Sequence, residues 1–189
     1  QSNQKEYVRQ GVSANIFAKL SEVYGFDFYA SQRKSAIPVE SGLPAPKQID
    51  QEKRNTNVGG TLYVDPNADT SMKFGFALGD LEDNTYADKR RNSHSSTNNQ
   101  SALIFAEMQQ KQDWGQLTHK LNYQKINNAR ESTSDRGINW MYAAGSKDWA
   151  NTEKVWEGAT SADIDLKQSS VSYGLDAVFN NFKFADTDH

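Results

Sequence analysis

The chain has 189 residues, of which 36% are hydrophobic and 24% charged, and a mean hydropathy of -0.83. No apolar run approaches the roughly 18 residues of a helical membrane span, and a net charge of -3 argues against nucleic acid as a partner. The absence of cysteine removes disulfides and thiolate metal sites. A β-barrel escapes the hydropathy test, because only alternate residues meet lipid while loops and lumen stay polar.

Residues 12–20 open the pattern: Val12, Ala14, Ile16, Ala18 and Leu20 alternate with Ser13, Asn15, Phe17 and Lys19. A period of two is the signature of a strand with two unlike faces. It returns in Phe26, Phe28 and Ala30, then in Val58, Gly60, Leu62 and Val64. It is clearest in Met72, Phe74, Phe76 and Leu78, set against Lys73, Gly75 and Ala77. Ala102, Ile104, Ala106 and Met108 follow, in a stretch read as strand over helix because it leads into a tight turn. Then come Leu117, His119, Leu121 and Tyr123, and last Val171, Tyr173, Leu175, Ala177 and Phe179. Phe182-Lys183-Phe184 is read as the start of an eighth strand.

Short connections rich in turn residues are expected at 22–25, 65–70, 111–115 and Asn180-Asn181. Long polar loops are expected at about 32–56, 81–100 and 127–165. Short turns on one side and long loops on the other are the asymmetry of outer-membrane barrels. The expected fold is therefore all-β: an antiparallel up-and-down transmembrane β-barrel, in one domain over 1–189 with no second domain. Trp114, Tyr24 and Phe179 would sit near the short turns, as an aromatic girdle does. A soluble antiparallel sandwich is the alternative left open by pattern alone.

Several stretches resemble TonB-dependent outer-membrane receptors. They are Asn15-Ile16-Phe17-Ala18-Lys19-Leu20-Ser21-Glu22, Tyr24-Gly25-Phe26 and Ser31-Gln32-Arg33-Lys34-Ser35-Ala36-Ile37-Pro38. Trp114-Gly115-Gln116-Leu117-Thr118-His119-Lys120-Leu121-Asn122-Tyr123-Gln124-Lys125 is similar to the family's turn and rising strand. Ser170-Val171-Ser172-Tyr173-Gly174-Leu175-Asp176 is similar to a later descending strand. The resemblance implies a barrel of about twenty-two strands closed by an N-terminal plug, of which seven or eight strands lie here. It implies import of a scarce ligand, such as a ferric siderophore or haem, driven by the TonB complex through the plug. The implied partners are outer-membrane lipid, lipopolysaccharide, the small-molecule ligand, and the rest of the barrel with its plug. No plug sequence or energy-coupling box is visible near Gln1, so the chain is expected to be a piece of such a receptor from a Gram-negative outer membrane. Closure into an eight-stranded barrel is the structural alternative. It is weakened by the inward direction of Lys19, Tyr29, Lys73, Glu107 and Lys120, which suits a wide or plugged lumen.

No catalytic arrangement stands out, and neither an enzyme nor a cofactor is expected. Ser93-His94-Ser95 has no orienting acid nearby in sequence, and Asp65-Pro66-Asn67-Ala68-Asp69 lacks the length and glycine of a calcium loop. The candidate ligand-binding residues lie in the expected external loops. Lys89, Arg90, Arg91 and His94 form a basic cluster suited to anionic ligands or phosphates. Trp140, Tyr142, Trp149 and Trp156 are dense enough to build a binding wall. Competing functions are a passive pore or small adhesion barrel, and a secreted β-protein that binds carbohydrate through the Trp-rich segment.

Overall fold

The computed structural model describes residues 8–40, 48–87, 93–134, 145–166 and 169–188. They form eight strands: β1 (Val8–Lys19), β2 (Tyr24–Glu40), β3 (Gln48–Asn67), β4 (Thr70–Ala87), β5 (Ser93–Gln112), β6 (Gly115–Ser134), β7 (Gly145–Leu166) and β8 (Ser169–Asp188). Each strand pairs antiparallel with the next, giving a single sheet in the order β1 to β8. β1 and β8 are not in contact, so the sheet is open at both edges among the described residues.

Register carries the alternation of single strands across the whole sheet, because directly opposed residues share a face. One row runs Ile16, Phe28, Gly60, Phe76, Ile104, Tyr123, Trp156 and Phe179, strand by strand. The next row toward the short turns runs Ala18, Phe26, Leu62, Phe74, Ala106, Leu121, Gly158 and Ala177. These rows are the centre of an apolar band on one face. Above them the same face turns polar, through Gln32, Thr56, Asp80, Gln100, Asn127, Thr152 and Lys183.

The short turns descend as a staircase. The row Tyr24, Val64, Met72, Met108, His119, Thr160 and Leu175 is a fixed level. Tyr24, the first residue of β2, lies on it, whereas Thr70 starts β4 two residues beyond it, Gly115 starts β6 four beyond and Ser169 starts β8 six beyond. Two residues per hairpin is about one residue per strand. At ~3.3 Å per residue along the chain and ~4.8 Å between strands, that slope is roughly 35°, the tilt of strands in a barrel wall.

Local chemistry shapes the turns. The Ser21 hydroxyl accepts from the backbone N–H groups of Val23 and Tyr24, at 3.1 Å each. Asn67 Oδ1 accepts from the Asp69 N–H at 2.9 Å, an Asx turn. Gly115 leaves the third turn with φ 145°, a conformation that disfavours side chains.

Several sequence expectations need correction. The segments 32–56, 81–100 and 127–165 are mostly strand: β2 to β7 continue through them, leaving only 41–47, 88–92 and 135–144 outside the described residues. Backbone pairing needs no apolar alternation, so Asn-, Gln- and Ser-rich sequence continues the ladder. Asn180-Asn181 is not a turn but lies within β8, paired with Val155 and Lys154. Phe182 and Phe184 thus belong to the same strand as Val171 and Leu175. β8 rises from the short-turn side, opposite to the direction expected for 171–179, because β7 supplies an additional descending strand. Phe179 accordingly lies at the upper end of the apolar band in β8, far from the turns, while Tyr24 and Trp114 do lie at them.

Among the described residues, neither face of the sheet carries a protein core. Ala162 is the only buried hydrophobic residue among those described, and none of their large side chains is fully buried. Of the exposed large apolar side chains, only Phe17, Tyr29, Val178, Phe182 and Phe184 lie on the polar face, with Trp114 in a turn; the rest belong to the apolar face.

Candidate functional site

The polar face has two tiers. The lower one lies behind the apolar band and is built by odd-numbered residues of β1 to β5 and β7 and even-numbered residues of β6. Glu107 is its hub: Lys73 Nζ approaches one carboxylate oxygen at 3.5 Å and Lys120 Nζ the other at 3.7 Å. Gln109 Nε2 donates to the same carboxylate at 2.8 Å. Register makes this inevitable, since Lys73, Glu107 and Lys120 are consecutive members of one cross-strand row. Tyr63 Oη donates to Asp27 Oδ2 at 2.6 Å, and Asn122 Nδ2 to Glu157 Oε2 at 3.2 Å. Glu107 is one-fifth exposed and its lysines about half, so these ion pairs remain in contact with solvent.

Two aromatic rings stiffen this tier. Tyr29 lies over Gly59, where an added Cβ would meet the ring at 2.5 to 2.6 Å, and Phe105 covers Gly75 in the same way. Both are directly opposed pairs. A ring laid over a glycine restores the packing that a strand glycine lacks.

The upper tier lies beyond the band on β6 to β8. Trp149 stacks with Phe184, ring centroids 6.4 Å apart and planes 22° from parallel. Phe182 is on the same face and exposed. Asn128 Nδ2 donates to Asn151 Oδ1 at 2.8 Å, and Arg130 Nε donates to Ser95 Oγ at 3.2 Å. Aromatic rings beside amide and guanidinium donors are the usual lining of a small-molecule site.

This arrangement differs from the expected one. Lys89, Arg90, Arg91, Trp140 and Tyr142 lie outside the described residues. His94 is on β5, paired with Tyr86 and Thr133 and on the same face as the apolar band but above it. Trp149 and Trp156 are not loop residues; both are in β7 and on opposite faces. Trp156 belongs to the apolar row and packs on Tyr123 with ring centroids 4.4 Å apart. The two tryptophans therefore cannot line one wall. The sequence reading missed Phe182 and Phe184 as companions of Trp149. Their parity would have shown it, had Asn180-Asn181 been read as strand. His119 is on the apolar face, its Nδ1 3.0 Å from Thr160 Oγ1.

Compared with known proteins, the chain matches no family model, and no curated protein or solved structure is significantly similar to it.

Proposed function

We propose that this sheet is part of the wall of an outer-membrane β-barrel receptor that takes up a scarce ligand, such as a ferric siderophore or haem, by TonB-dependent transport. The observation that carries the reading is an apolar face that crosses all eight strands and that none of the described residues covers. Contiguous exposed apolar surface of that size requires a partner, and lipid suits it in shape. In β8 the band runs from Val171 to Phe179, about 27 Å along the strand at ~3.4 Å per residue. Tilted by ~35°, that is about 22 Å of membrane depth, close to the ~25 Å band of outer-membrane barrels.

A wide barrel is favoured over an eight-stranded one. Eight strands lie about 34 Å across at ~4.8 Å each and their edges stay apart. The face that would turn inward carries Tyr29, Tyr63, Lys73, Phe105, Glu107 and Lys120, too bulky for a lumen that side chains must fill. Unpaired edges are costly in lipid, so further strands complete the wall. The upper tier around Trp149 and Phe184 then faces the mouth of the barrel and contacts the ligand.

The test has two stages. The protein is first fractionated from cells, and migration of unheated and heated samples is compared. A membrane-embedded, heat-modifiable protein supports the barrel, and recovery in the soluble fraction without detergent sinks it. A deletion strain is then grown under iron limitation with ferric siderophores or haem added back. Growth equal to the parent strain with every chelate would refute iron uptake.

A further inference from the structure

We infer that the lysines at the upper border of the apolar band on β6 to β8 form a binding site for the phosphate groups of an outer-leaflet glycolipid, lipopolysaccharide. The inference rests on the barrel reading above but uses residues with no part in the proposed ligand site. Lys125 and Lys154 are directly opposed across β6 and β7. Lys154 opposes Asn181, and Lys183 is the next residue of β8 on that face. Like charges placed face to face repel, and none of the three lysines enters an ion pair among the described residues. Of the nearby carboxylates, Glu153 and Glu157 point the other way, accepting from Asn180 and Asn122 on the polar face. Asp80 of β4 is on the lysine face, two strands from Lys125 and in the same hollow, but makes no ion pair with it and lies farther still from Lys154 and Lys183. Between the apolar row and Ala129, Ala150 and Ala185, this face of β6 to β8 carries only Lys125, Lys154, Lys183, Asn127, Thr152 and Asn181.

Position names the anion. The row immediately below is Tyr123, Trp156 and Phe179, the aromatic end of the band. A ligand neutralising the lysines while resting on these rings has phosphates on top and acyl chains beneath. The opposite end of the sheet lacks this imbalance. There Lys34 and Arg54 are opposed in the same way, but Glu52 and Glu82 neighbour them.

The test uses the intact protein purified in a neutral detergent, titrated with bisphosphorylated lipid A, dephosphorylated lipid A and inorganic phosphate. Each surface lysine strengthens anionic-lipid binding several-fold, so the parent should prefer the bisphosphorylated lipid by about 10-fold or more. K125Q/K154Q/K183Q should lose that preference, and K125R/K154R/K183R should keep it. Inorganic phosphate should bind weakly and equally to all three proteins. Should the triple glutamine variant fail to fold, K154Q alone should reduce the preference about 3-fold or more. An undiminished preference in either glutamine variant, or none in the parent, overturns the inference. Inorganic phosphate binding as tightly as the lipid would overturn the lipid as its source. A parent protein embedded in the membrane without phosphate preference refutes only this site, whereas a parent protein soluble without detergent refutes the barrel itself.

Discussion

Phe76 and Ala77 are neighbours in the chain and belong to different surroundings. Phe76 sits between Gly60 and Ile104 in a row without a charged side chain across eight strands. Ala77 sits between Gly59 and Leu103 on the face that carries Tyr29, Lys73, Glu107 and Lys120. In a water-soluble sheet the apolar face would be covered and the polar one wet. Here the apolar face is left uncovered: Phe74, Phe76 and Leu78 are more exposed than Lys73, Gly75, Ala77 and Gly79 between them. An uncovered apolar face is what the proposed membrane wall would present, and that proposal can be attacked from either face.

The largest effect is expected from charge on the apolar face. Phe76→Arg should destabilise the assembled protein by about 2–4 kcal/mol, the cost of an arginine at mid-depth in lipid. Ala77→Arg should be tolerated far better if the polar face is wet. Heat-modifiability and the amount of protein in the outer membrane measure both. Equal damage from the two substitutions would break the comparison.

Packing on the polar face comes next. Gly59→Leu pushes a side chain into the Tyr29 ring and should cost about 1–3 kcal/mol, as overpacking does. Adding Tyr29→Ala should recover part of the loss. Denaturant unfolding of the four members of that cycle gives the coupling. No recovery would mean that the ring is not what the new side chain meets. A smaller effect is expected for Glu107→Gln, which leaves Lys73 and Lys120 without their shared carboxylate. Because the lysines are about half exposed and screened, the loss should be about 1 kcal/mol or less and shrink further in high salt.

How much of this could be read from sequence follows from where lipid-like alternation is strict. β4 was legible because Met72, Phe74, Phe76 and Leu78 leave no doubt about its face, and β1, β3, β5 and β6 follow the same logic. β7 was not. Its residues on the apolar face are Thr152, Lys154, Trp156, Gly158, Thr160, Ala162 and Ile164, too mixed to show a period of two. Only its pairing with β6 and β8 defines it. Losing β7 turned a descending strand into a loop, reversed the sense of β8, and placed Trp149 and Trp156 on one imagined loop. The upper halves of the strands were lost for a related reason. With no apolar surface to hide, sequence such as Thr97-Asn98-Asn99-Gln100 gives no alternation although its backbone pairs without interruption. The charged hub was visible in parity, since Lys73, Glu107 and Lys120 all fall on the inward side. That they meet depends on register, which the single strands do not specify.

The smallest expected effect fixes the upper limit of the band. Gln100 is on the same face of β5 as Ile104, four residues higher, opposite Asp80 and Asn127. Four residues are about 13 Å along the strand, enough to move a side chain from the apolar rows into the polar border. Ile104→Arg should therefore approach the Phe76→Arg penalty, while Gln100→Arg should cost about 0–1 kcal/mol, the value near a membrane interface. The ratio of assembled to unassembled protein for the two variants measures the difference. A flat profile from 104 to 100 would mean that the face is not crossing a membrane boundary there. A steep one would place the boundary between Ile104 and Gln100, around the row of Ala102, Lys125 and Lys154.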